Sequence, residues 1–171
     1  EVSKALDENE NHHDSESDLD IEQSLKKAKQ LQEEGKYQES LILMLKYRTM
    51  LRQEGEDEDT LDTANMWREM GNAHLRQGKY PEAMKFFEKE LALRLKLQEN
   101  NGTAVASTYY NMAIVYEKQG KYDKALEHYE MSLNIRLEKL GDDHSHVGNI
   151  YNGMASVYDY QGNYDKALEY Y

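Results

Sequence analysis

Gly162-Asn163-Tyr164-Asp165-Lys166-Ala167 repeats, forty-two positions later, the stretch Gly120-Lys121-Tyr122-Asp123-Lys124-Ala125. Two further Gly-Lys-Tyr triplets, at Gly78 and Gly35, continue the series backwards with spacings of 42 and 43. Outward from each glycine, other columns recur at the same step: Trp67, Tyr109 and Tyr151; Met70, Met112 and Met154; Gly71, Ala113 and Ala155; His74, Tyr116 and Tyr158; Ala83, Ala125 and Ala167; Phe87, Tyr129 and Tyr171. A fixed period of this kind marks an array of structural repeats. Within each period the apolar residues fall three and four apart, as Trp67, Met70, Gly71 and His74 do, which predicts one stripe of an α-helix ending near Gly78. Glycine at that place suits the left-handed residue that closes a helix. Pro81 suits the first turn of the next helix, and Asp123 and Asp165 place a carboxylate at the positive end of its counterparts. Each period therefore reads as a helix, a tight turn and a longer helix. The small-residue columns let the two helices approach closely.

Composition agrees with an all-α chain. The 171 residues include one proline, no cysteine, fourteen tyrosines and two phenylalanines. The net charge is −12, but residues 1–20 hold eight acids and one lysine, so −7 of it lies there and residues 21–171 carry −5. That balance argues against nucleic acid, which demands clustered Lys and Arg to displace counterions. The longest aliphatic run, Leu41 to Leu45, is far too short to span a membrane, and residues 1–20 lack the basic start and apolar stretch of a signal peptide. The reading is a cytoplasmic protein without disulfides or thiolate metal sites.

The columns resemble the tetratricopeptide repeat over residues 61–171. The usual repeat is 34 residues, and the extra eight are expected to lengthen the second helix by about two turns. Leu133-Asn134-Ile135-Arg136, Leu140-Gly141-Asp142-Asp143-His144 and Val147 are similar to the 42-residue repeats of kinesin light chain and its relatives. The preceding period has Leu91-Ala92-Leu93-Arg94 but Asn101-Gly102-Thr103 in place of the Leu-Gly turn, and Ser145 replaces a usual proline. The resemblance implies an α-solenoid of antiparallel helix pairs wound as a right-handed superhelix.

Residues 1–20 read as an acidic, disordered tail, and residues 21–171 as the solenoid. Its degenerate first pair spans 21–53, with Ser24, Lys27 and Arg48 in columns that are apolar later; fuller pairs occupy about 60–100 and 103–141, and an incomplete pair 144–171. An acidic linker, Glu54 to Asp59, separates the first two. Leu168, Tyr170 and Tyr171 would lack a covering neighbour, which reads as a fragment of a longer array.

Function in such an array belongs to the concave face of the first helices. Removing the packing columns leaves Lys29; Arg68, Asn72 and Arg76; Tyr110, Asn111 and Ile114; and Asn149, Asn152 and Ser156 as a peptide-binding groove. Asparagine both donates and accepts, so it can hold an extended backbone irrespective of sequence. Arg68, Asn72 and Asn111 are similar to part of the clamp that some tetratricopeptide domains close on a terminal carboxylate, but Asn149 and Gly153 stand where its other bases would be. Kinesin light chain resemblance implies instead an internal cargo peptide, often an aromatic flanked by acids, lying across the groove, which Arg68, Arg76 and Lys29 would suit. The expected function is a protein–protein adaptor, a non-enzyme with no cofactor and no metal. The alternative is a structural spacer or oligomerisation arm acting through its convex face within a larger complex. Asp142-Asp143-His144-Ser145-His146 could be drawn as a metal site, yet two imidazoles in a helix connection fit a structural loop better. His12 and His13 belong to the tail, and Asn101-Gly102-Thr103 spells a glycosylation sequon that also serves as an Asn-Gly turn.

Overall fold

The computed structural model describes residues 21–54, 59–97 and 102–171, and every regular element in them is helical. The helices are α1 (Ile21–Glu33), α2 (Tyr37–Glu54), α3 (Leu61–Arg76), α4 (Tyr80–Lys96), α5 (Gly102–Lys118), α6 (Tyr122–Leu140), α7 (Ser145–Tyr160) and α8 (Tyr164–Tyr170). They group into two compact units, Glu1–Glu58 and Asp59–Tyr171, divided within the acidic linker. In the first, α1 packs on α2; in the second, α3 packs on α4, α5 on α6 and α7 on α8, and each second helix also meets the next first helix. The tail with His12 and His13, and Asn101 of the sequon, lie outside the described residues.

The turn inside each pair is the one the glycines predict. Gly35, Gly78, Gly120 and Gly162 take φ of +71° to +76°. The amide after each reaches five residues back to a carbonyl, Lys79 to His74 at 2.9 Å and Asn163 to Tyr158 at 2.9 Å, so carbonyls stranded at the helix end are satisfied by backbone alone. Asparagine at 163 adds a side-chain cap on the Lys166 amide at 3.3 Å. The second helix is the longer in each complete pair, at 18 against 13 residues, 17 against 16 and 19 against 17. In the second unit the second helix thus exceeds the first by only one and two residues.

The small columns sit at the helix crossings: Ala83, Ala113, Ala125 and Ala155 are fully buried, and so is Ala28 in the first unit. In that unit Ser40 takes the place of Ala83, and its hydroxyl donates to the Ala28 carbonyl at 2.9 Å, which removes the penalty of burying it. The ring column is less regular than the sequence suggests. Phe87 leans on its own first helix, where a Cβ at Gly71 would come within 2.5 Å of the ring. Tyr129, one period later, leans the other way, onto the following first helix, where a Cβ at Gly153 would come within 2.7 Å. Tyr171, the third member, is exposed, as are Tyr160, Tyr164 and Leu168.

Candidate peptide-binding face

Consecutive first helices of the second unit touch, so the residues they turn to the same side form a continuous strip. On α3, Arg68, Asn72 and Arg76 are spaced by four; on α5, Asn111 and Ile114 by three; on α7, Asn149, Asn152 and Ser156 by three and four, which is the spacing of one helix face. All are partly or fully exposed. Among the described residues, no hydrogen bond engages the side-chain amides of Asn72, Asn111, Asn149 or Asn152. Lys29 is exposed on α1 of the first unit.

Three of the ten residues have a second occupation. Tyr110 is half-buried: its ring meets that of Tyr129 edge-on at 5.6 Å, and the Arg136 guanidinium sits 5.5 Å from its centre on the ring face. Burial pushes its phenol above the ordinary tyrosine range, Arg136 opposing the rise and Glu117 adding to it. Ile114 packs at the edge of the same core cluster. Both lie on the strip and support the core behind it. Arg68 is also partly committed, with its Nε 3.6 Å from Glu69 and its charge, after that of Arg94, opposing the burial that raises the carboxyl pKa of Glu90.

The strip carries acids that sequence reasoning passed over. Glu69 shares the α3 face, and Glu117 closes α5, where its carboxylate accepts from the Tyr129 hydroxyl at 2.8 Å. Burial first, and then Glu117, hold the Tyr129 phenol far up, so it stays a donor. The buried polar residues of the second helices are spent internally. Arg94, buried on α4, pairs with Glu90 at 2.8 Å and donates to Asn65 at 2.8 Å; one period later Arg136 donates to Ser107 at 3.1 Å and to the His146 carbonyl at 3.1 Å. The carboxylate is missing from the second arrangement because Ser132 occupies the place of Glu90, and Ser132 donates instead to the Ala106 carbonyl at 2.7 Å. The Arg136 Nε is buried without an acceptor.

The helix connection before α7 is built as a cap. The His144 ring accepts from the His146 amide at 3.2 Å, with the two imidazoles 4.8 Å apart. Burial, Arg136 and His144 together lower the His146 pKa. Among the described residues no three His, Cys, Asp or Glu side chains converge as a metal would need, and no described helix is long and apolar enough to cross a membrane.

Solved structures similar to this chain include a putative kinesin light chain with nearly identical TPR-like repeats from Podosopora anserina, at 19% identity over 88% of this chain and 71% of that one, TM-score 0.75. BtubC (BKLC) from P. vanneervenii matches at 18% identity over 99% and 67%, TM-score 0.78, and MamA at 21% over 99% and 80%, TM-score 0.63. No curated protein matches the chain. The family described as Tetratricopeptide repeat matches residues 20–96 and 104–171, most of the sequence, so with its Gly-closed helix pairs and small crossing columns this chain belongs to the tetratricopeptide repeat family.

Proposed function

We propose that the chain is a protein–protein adaptor whose second unit holds an extended peptide of a partner along Arg68, Asn72, Arg76, Tyr110, Asn111, Ile114, Asn149, Asn152 and Ser156, with Lys29 a contact of the first unit. The tetratricopeptide fold supports a protein-interaction scaffold, and the observation that carries the finer reading is the row of unused amides. Four asparagines on a partly to fully exposed face, none bonded among the described residues, are donors and acceptors left over for a backbone from outside. Arg68 and Arg76 favour carboxylates on the peptide, as in a kinesin light chain-like cargo adaptor, while Glu69 and Glu117 confine that preference to part of the strip. The role is non-catalytic, and a cytoplasmic location is part of the proposal.

The test is affinity capture from cytosol with the folded chain, comparing it with an Asn72→Ala, Asn111→Ala, Asn152→Ala variant. Arg68 is left intact because a carboxylate there would face Glu69 and Glu90. Partners lost from the variant, with helicity unchanged, support the reading. Partners retained at wild-type yield sink it and leave the spacer or oligomerisation arm acting through the second helices.

A further inference from the structure

Three first helices begin at one column of the repeat, and that column changes its chemistry along the array. Thr60, Gly102 and His144 stand 42 residues apart at the heads of α3, α5 and α7. Thr60 caps α3 with its hydroxyl, which accepts from the Thr63 amide at 3.1 Å. His144 caps α7 with its ring: the backbone there is extended, at φ −76° and ψ 134°, and Nδ1 accepts from the His146 amide at 3.2 Å. A hydroxyl oxygen accepts whatever the pH. An imidazole nitrogen accepts only while it carries no proton, and histidine is the side chain whose charge changes between about pH 5 and 8.

The surroundings give a protonated cap nothing to fall back on. The first turn of α3 holds Asp62, whereas that of α7 holds no acid and has His146 in the same column. A cation at this end of a helix opposes the helix dipole. The two rings lie 4.8 Å apart, so charge on one opposes charge on the other. From α6, Arg136 donates to the His146 carbonyl at 3.1 Å and brings a further positive charge, while Glu138 and Lys139 pair with each other at 2.9 Å. From α5, Ser107 and Tyr110 meet the Arg136 guanidinium, and burial keeps the Tyr110 phenol protonated. Asp142 and Asp143 of the connection are exposed, and among the described residues no hydrogen bond or ion pair ties them to either ring. Desolvation, then Arg136 and His144, lower the His146 pKa. Gly148 softens the same turn: a Cβ there would meet nothing within 4 Å, so its conformational freedom answers no close approach. Holding the turn are fully buried Val147 and the bonds of the Val147 and Gly148 amides to the His144 carbonyl, at 2.8 and 3.3 Å.

We propose that His144 is a pH-responsive cap: protonation of its ring breaks the bond from the His146 amide, sets a positive charge at the head of α7 and opens residues 145–148, while the corresponding turn of α3 stays closed. Asn149 follows directly, so where the strip holds a peptide the opening loosens one of its asparagines. That consequence rests on the peptide-binding reading, and the opening itself does not.

The test is amide exchange with water in the isotope-labelled full chain, read residue by residue by NMR at pH 7.5 and 5.0 and corrected for the intrinsic rate at each pH. Between the two, protection of the Gly148 amide should fall about fivefold, the size of one lost cap, relative to that of Ala64, whose bond to the Thr60 carbonyl is its counterpart in α3. His144→Thr gives α7 the cap of α3 and should remove the difference. His146→Gln keeps both the amide donor and the titrating cap and should preserve it. A ratio of Gly148 to Ala64 protection that is the same at both pH values overturns the proposal. So does a fall that persists in a folded His144→Thr chain or vanishes in His146→Gln, because the responsible group would then not be His144.

Discussion

Gly153→Ala is a one-carbon change whose cost can be worked from the ring it meets. The new Cβ would lie 2.7 Å from Tyr129 Cζ, 2.8 Å from Cε1 and 2.9 Å from the hydroxyl oxygen, each inside ordinary contact by half an ångström or more. The ring cannot retreat freely, since Tyr129 is fully buried among Ala113, Ala125 and Met154. Over-packing of this kind costs about 1–3 kcal/mol. If the ring swings aside, the 2.8 Å bond to the Glu117 carboxylate is lost, at about 1.5–3 kcal/mol for a hydrogen bond to a charged group. Alanine returns about 1 kcal/mol through its better helix propensity. With the clash and the lost bond together, the net expectation is a loss of about 1.5–5 kcal/mol, measured by urea unfolding followed by circular dichroism. In a Tyr129→Leu background the same substitution should cost nothing, because the clash is gone and only the propensity gain remains. A wild-type background in which Gly153→Ala is neutral or stabilising would refute the reasoning.

Two further outcomes follow from the buried charges. Arg94→Met strands Glu90 in the core and should cost about 3–5 kcal/mol, whereas Arg136→Met removes a cation that has no carboxylate and should stay within about 1 kcal/mol of wild type; equal losses in thermal or urea unfolding would contradict the assignment. Burial and then Lys79 depress the His74 pKa below its ordinary 6.5, against the opposing pull of Glu82. The folded state therefore binds fewer protons than the unfolded chain, and stability falls as pH drops through 6.5 towards the lowered value. His74→Tyr, the residue of the other two periods, should flatten the decline of the unfolding midpoint between pH 7.5 and 5.5. His146 and Glu90 titrate alike in both chains, so the difference between the two curves isolates His74.

The helices, their turns and the crossing columns were legible because each rests on a local rule: apolar spacing, a left-handed glycine, a small residue where helices cross. The buried polar network was not. Arg94 and Arg136 read like surface arginines of a charged helix, and only the partner 29 positions away, Asn65 or Ser107, shows them to be interior. Tyr110 was assigned to the groove by elimination, which has no means of seeing the guanidinium behind its ring. Gly153 did carry a signal. A glycine in the middle of a helix costs about 1 kcal/mol against alanine, so its presence called for a packing reason, and Tyr129 supplies it.

The opposite leans of Phe87 and Tyr129 decide which pair could be copied. A second α3–α4 pair placed after the first would leave Phe87 its glycine at position 71 of its own pair, and would set the copy's Met70 and Ala73 where Met112 and Val115 now pack on the ring. A second α5–α6 pair would leave Tyr129 without one, because that ring reaches forward for a glycine and would find the copy's Asn111 in that place. The array is periodic in letters but directional in its joints: one ring finds its glycine within its own pair, and the next finds it in the pair that follows.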